Sequence, residues 1–371
     1  MIPYLVLVVI AFLGIILNLN NKGMTKKKKI YLTVFFGICV TLIASIRSFS
    51  VGVDTVQYYY SYKYIAANSW EKILGLRYEQ GFIYLCKILS YINSNPQTII
   101  VVSSLIIFPS ISYFIYKYSK NIYMSFYFYI VLNLYFSHLN IMRQAIAIAI
   151  ILYAIKFLLD GKNVKYIAMV LIASLFHSSA VICLLLLLLK NFKYNKKTYM
   201  YVMILSVVGF GICPYLLKFI LGCFGKYESY LTSTVFGVSN YFGAVINYLI
   251  YLVIYTFCHI YHFKNENEND KTSTLFLEML AMTCVFQAMA IKIGIVSRVV
   301  PYFFIAVIIT LPNILCKIKK AKTRFLFITI SILLAFIYWL IIVELRPEWL
   351  GAVPYLPFWN KTVIDWSGYF G

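Results

Sequence analysis

The sequence predicts an all-α polytopic integral membrane protein, and three observations predict it. Hydrophobic residues make up 62% of the 371-residue chain and charged residues only 12%, about half the charged share of a water-soluble domain. Mean hydropathy is +0.83. The apolar residues fall in blocks of about 20, the length a helix needs to cross roughly 30 Å of hydrocarbon. Basic residues outnumber acidic ones 33 to 12, and most of them sit in short loops between the blocks.

The first block, residues 3–19, has neither a basic leader nor an Ala-x-Ala cleavage site, so it reads as a retained helix rather than a signal peptide. Further spans follow over 30–46, 98–116, 122–139, 141–159, 200–220, 241–262, 274–294, 299–315 and 325–343, about ten in all. Lysine-rich loops orient them. Lys26 to Lys29 place the first loop in the cytoplasm; Lys117 and Lys120, Lys162 and Lys165, Lys193 to Lys197 and Lys317 to Arg324 follow on the same side. The net charge of +21 is thereby a topology signal, and nucleic acid is not an expected partner.

Residues 164–189 strain this map, because lysines flank both ends and 26 residues are too few for two crossings. One reading is a re-entrant element, two half-helices joined near Phe176-His177-Ser178-Ser179. The other is one long tilted helix. The chain reads as a single transmembrane domain, 1–371, with an outer loop over 47–96 carrying short amphipathic helices, a second over 222–240, and an outer tail over 344–371 rich in Trp and Pro. The tail aromatics suit either headgroup anchoring or stacking on sugar rings. Eight scattered cysteines, none in a Cys-x-x-Cys pair, read as packing residues.

The cytoplasmic loops hold no Gly-rich phosphate loop and no carboxylate pair, so nucleotide chemistry finds no support and no cofactor or metal is expected. Charged groups gather instead on the outer side. Arg47 ends the second span, Arg143 opens the 141–159 span, and Arg298 precedes the 299–315 span; His138 comes five residues before Arg143. Asp54 and Glu79 come from the first outer loop. An arginine at an interface can simply snorkel to lipid phosphate. Arg143 fits that less well, because small residues follow it in IleMetArgGlnAlaIleAlaIleAla and favour packing between helices. The planar guanidinium grips phosphate bidentately, and buried ionisable groups mark substrate paths. Glu79 has an ion pair with Arg77 or Lys87 as its plain alternative, and His177 a hydrogen bond to Ser178 or Ser179. Asp54 has helix capping.

Six phrases then occur in order: Gly52-Val53-Asp54-Thr55 with Tyr58; Tyr78-Glu79-Gln80-Gly81-Phe82; Arg143-Gln144; Ala173-Ser174-Leu175-Phe176-His177-Ser178-Ser179-Ala180; Ser297-Arg298 leading Tyr302-Phe303-Phe304; and Leu311-Pro312. The set resembles the EpsG family of bacterial membrane proteins, which groups with Wzy-type polysaccharide polymerases. The resemblance implies a multi-pass protein of the cytoplasmic membrane with its site facing the periplasm or cell exterior. It implies transfer of a polyprenyl-pyrophosphate-linked glycan onto a lipid-linked repeat unit, making O-antigen, capsule or exopolysaccharide, with membrane lipids and a chain-length regulator as further partners. On that reading Asp54, Glu79 and His177 are the catalytic candidates, and Arg47, Arg143, Arg298, His138 and Tyr58 the substrate and pyrophosphate ligands. Another polyprenyl-linked glycosyltransferase or ligase would use the same groups, and a lipid-linked glycan transporter is the third class.

Overall fold

With no water to satisfy it, a membrane-embedded backbone must pair internally. The computed structural model describes residues 1–18, 24–224, 241–264, 270–360 and 362–364. The described chain is almost entirely helical; its one extended pairing is an isolated bridge between Arg47 and Pro357. The expected outer loop 222–240, from residue 225 onward, and Trp366 of the tail lie outside the described residues.

Among the described residues seven helices are long and apolar enough to cross a membrane, and a pair bent by 47°, Gly294–Phe304 with Val307–Lys317, brings the number to eight if it counts as one span. Two of the ten spans drawn from hydropathy are therefore shorter than expected. The first is the helix Ile2–Leu17 (α1). The block 122–139 is broken: Ile122–Val131 (α7) stops at Leu132, Asn133 takes a left-handed conformation at φ 62°, and Leu134–Asn140 (α8) resumes. Asparagine is one of the few residues that tolerates that backbone. Ten residues rise only about 15 Å, and all but Tyr123 in α7 are buried, so this block is packed core rather than a lipid-facing span.

By their contacts the residues form two compact units, Met1–Val181 with Lys320–Gly371, and Ile182–Lys319. No composition shift in the sequence marks that division. In the first unit Lys26–Ser45 (α2) packs along Gln97–Tyr118 (α6), with Gly37 against Ser112 at a distance that leaves no room for a Cβ. Small residues at such seams let backbones approach. Met142–Leu159 (α9) packs on α6 and on the following Asn163–Ser174 (α10), and the helix Ala321–Leu345 packs on α7, where Tyr127 donates to the Ile332 carbonyl at 3.0 Å. Between α2 and α6, Thr55–Ala67 (α3) and Gln80–Ile92 (α5) pack on each other and on α6. Within 164–189, α10 ends at Ser174, Leu175 to His177 form a turn, and a 3-10 segment starts at Ser178. The helical break thus falls at the phrase singled out in the sequence.

In the second unit, Lys271–Ala290 is the central helix, buried along most of its length and flanked by Thr198–Phe224 and Tyr241–Lys264. Tyr194 Oη there bridges Tyr255 Oη at 3.0 Å and His259 Nδ1 at 2.6 Å.

Candidate active site

The Gly-x-Asp-Thr phrase is first of all a docking device. Gly52 has φ 100°, and a Cβ there would run into Thr55 and approach the Leu139 carbonyl; only glycine takes that backbone without penalty. Thr55 Oγ1 donates to the Leu139 carbonyl at 3.2 Å, and the Asp54 N–H donates to Asn140 Oδ1 at 2.7 Å. The start of α3 is therefore fastened to Leu139 and Asn140, four and three residues before Arg143 where the chain turns into α9. The Asp54 carboxylate makes no capping hydrogen bond, so the capping role open to it in the sequence is not the one it plays. The other face of this loop is covered by the tail: the Gly52 N–H meets the Gly351 carbonyl at 2.6 Å, and Ser48 N–H the Leu356 carbonyl at 2.7 Å.

Glu79 precedes the first turn of α5. Its position depends on Gly81, whose N–H donates to the Leu175 carbonyl at 2.8 Å. A Cβ on Gly81 would stand 2.6 Å from that oxygen, so only glycine lets α5 abut the break after α10. The contact brings two distant phrases together. Glu79 Oε2 pairs with Arg143 Nη1, and Glu79 Oε1 accepts the Ser178 N–H at 3.2 Å. His177 Nδ1 lies 3.7 Å from the same oxygen and 3.2 Å from Ser179 Oγ. The partner of Glu79 is thus Arg143, neither Arg77 nor Lys87; Lys87 instead donates to the Ile65 and Asn68 carbonyls.

Two tyrosines wall the pair. The Arg143 guanidinium sits 4.8 Å from the Tyr78 ring centre and 5.7 Å from that of Tyr58, a cation–π arrangement. Phe82 packs on both rings, and Ser61 Oγ holds the Tyr78 hydroxyl at 2.8 Å. Burial pushes the Tyr58 phenol up to about 12, Arg143 only partly opposing it, so it is neutral at ordinary pH. Arg143 and Glu79 side chains keep 21% and 20% of their surface open. The site is a partly exposed cluster of a cation, a carboxylate, an imidazole and aromatic walls, assembled from α3, α5, α9 and the break after α10.

Two expected ligands of the first unit stand elsewhere. Arg47 is 2% exposed, its guanidinium donating to Ala44 O, Ser104 Oγ at 3.2 Å and Leu139 O at 3.0 Å. His138 is buried with Nδ1 2.9 Å from the Tyr129 hydroxyl. Arg298, exposed at the end of the 3-10 turn Gly294–Arg298, belongs to the second unit. Tyr78, Gly81, Asn140 and Ser178 act at the site without having been singled out. Three of them stood inside the quoted phrases, but nothing in a phrase says which other phrase it will touch.

The apolar helices make this a multi-pass membrane protein, and a cluster of ionisable groups in such a protein is a candidate functional site. The chain is a member of the EpsG family, whose model matches residues 29–356. That family comprises Wzy-type polysaccharide polymerase-like proteins, which points to polysaccharide biosynthesis as the general function. No curated protein and no solved structure matches the chain.

Proposed function

We propose that this protein polymerises polyprenyl-pyrophosphate-linked oligosaccharide repeat units at the outer face of the cytoplasmic membrane. The observation that carries this reading is the partly exposed Arg143, held by Glu79 and two tyrosines at the end of α9 away from Lys156. A planar guanidinium on a side chain that is 21% exposed is suited to a pyrophosphate oxygen. Membership in the EpsG family supports the wider reading of a polysaccharide polymerase.

The transfer forms one glycosidic bond and breaks one glycosyl–phosphate bond. The terminal hydroxyl of a lipid-linked acceptor unit attacks the anomeric carbon of the donor chain, and its proton passes to a carboxylate. The bond from that carbon to the pyrophosphate oxygen breaks, and the electron pair leaves with the polyprenyl pyrophosphate. Asp54, whose carboxylate caps nothing, is the general base, a role worth about 10²–10⁴-fold. Arg143 meets the charge growing on the leaving group, an effect on the order of 10²–10³. Glu79 and His177 position Arg143, since a carboxylate already paired with a guanidinium is a weak base.

The test is the size distribution of lipid-linked glycan in cells lacking the protein. Accumulation of one complete repeat unit with loss of the long ladder is expected. A repeat short by one sugar would instead identify a monosaccharide transferase, and a complete unit held on the cytoplasmic leaflet a transporter.

A further inference from the structure

The apolar arc of α5 is largely exposed, its contacts confined to Trp70 beside Tyr84 and Lys87 beside Tyr91 among the described residues, although this helix lies in a loop between spans. Tyr84, Ile88, Tyr91 and Ile92 recur at helical spacing, 45%, 57%, 69% and 80% exposed. The opposite side carries Phe82, Ile83 and Cys86, which are fully buried; Lys87, at the border of the arc, is buried too, its ammonium bonded to two carbonyls and 5.2 Å from the Tyr91 ring. The exposed arc therefore holds two tyrosines and two isoleucines with no charge among them. A loop helix facing water would bear the reverse pattern. Large exposed apolar patches mark a site of contact.

The contact is identified by what adjoins the arc. At its first turn Gly81 abuts Leu175, and Leu175 and Leu171 at the end of α10 are themselves more than half exposed. At its last turn only residues 93–96 separate α5 from α6, a helix long and apolar enough to cross a membrane. The arc thus adjoins exposed leucines of the apolar helix α10 at one end and lies four residues from a membrane-crossing helix at the other. Tyrosine with isoleucine, without charge, is the composition of the boundary between headgroups and chains.

We infer that α5 is an interfacial helix, its Tyr84–Ile88–Tyr91–Ile92 face immersed in the lipid leaflet, so that the pocket at its N-terminus stands at headgroup depth and borders lipid. The occupant is the bilayer itself. Glu79, immediately before α5, then meets Arg143 at the level where a lipid phosphate resides. A lipid-anchored substrate reaches Arg143 by lateral diffusion, without lifting its chain into water. The placement of α5 stands apart from the chemistry proposed for the pocket.

The experiment uses the full-length wild-type protein in liposomes containing a phospholipid with a photoactivatable group on its acyl chain. Labelled peptides are mapped by mass spectrometry, and water-accessible side chains are mapped in parallel by hydroxyl-radical footprinting. Lipid labelling is expected across 84–92 at a level matching Leu333 to Ile337 in the terminal helix, where Leu333, Leu334 and Ile337 are exposed, with radical modification confined to positions such as Lys63. Strong radical modification of Tyr84 and Tyr91 without lipid label would overturn the inference by placing the face in water. Protection from both reagents would overturn it too, by showing that a protein covers the arc. Neither readout depends on glycosyl transfer.

Discussion

Arg47 and Arg143 both stand at the ends of helices beside the same loop, and the protein uses them in opposite ways. Arg47 is sealed. Its donors go to two carbonyls and a serine hydroxyl, and the tail is laid over its neighbourhood through Pro357, Tyr355 and Leu356. Arg143 faces a carboxylate and two rings and keeps 21% of its side chain exposed. A guanidinium bonded to carbonyls in a closed space ties elements together; one balanced by a movable carboxylate can exchange partners. The same residue type therefore makes a structural clasp in one place and a candidate anion receptor a few residues of fold away.

Asp54 belongs to both regions, its backbone fixed to Asn140 and its carboxylate free of any capping duty. Asp54→Asn should lower polymerisation by about 10²–10⁴-fold while leaving thermal stability unchanged. Polymer formation from purified lipid-linked repeats checks this, and a normal rate would remove the base assignment. Arg143→Ala should lower the rate by about 10²–10³-fold, mostly in kcat, because the guanidinium is called on as charge grows on the leaving group. A pure rise in KM would demote Arg143 to substrate anchoring.

Arg47→Met should separate the two arginines most clearly. It is expected to cost about 1–3 kcal/mol of stability through lost hydrogen bonds, read as a lower unfolding temperature in detergent. Turnover per folded molecule should stay near wild type, and a loss matching that of Arg143→Ala would collapse the distinction. The smallest effect is expected from Tyr58→Phe. Burial raises the Tyr58 phenol to about 12, so it stays protonated through the neutral and mildly alkaline range, and its removal should leave the pH profile below about pH 10 in place. An alkaline limb that disappears in the variant would assign the phenol a titrating role.

The break after α10 was legible as one of two readings, since lysines at both ends of 26 residues left no room for an ordinary pair of spans but fitted either a re-entrant element or one tilted helix. The break at Asn133 was not, since 122–139 is apolar throughout and hydropathy scores a packed core and a lipid-facing span alike. Glu79 was found as a candidate with the wrong partner. Lys87 lies nearer in sequence, yet α5 turns it toward the carbonyls of Ile65 and Asn68, while Gly81 brings the helix start against Leu175 and so to Arg143. His138 and Arg47 were read as ligands because chain order put them beside the outer level. Whether a side chain at that level faces the pocket or the core is a matter of helix rotation, which chain order does not express.

The sequence by itself determined the membrane class, the family and the residue types available for chemistry. Those depend on composition, on charge in loops and on short phrases, all of them local properties of the chain. Tertiary structure alone decided that Glu79, Arg143, His177, Tyr58 and Tyr78 share one pocket while Arg47 and His138 do not. That outcome rests on close approaches such as Gly81 on Leu175 and Gly52 over Leu139, where a missing Cβ lets segments more than eighty residues apart meet.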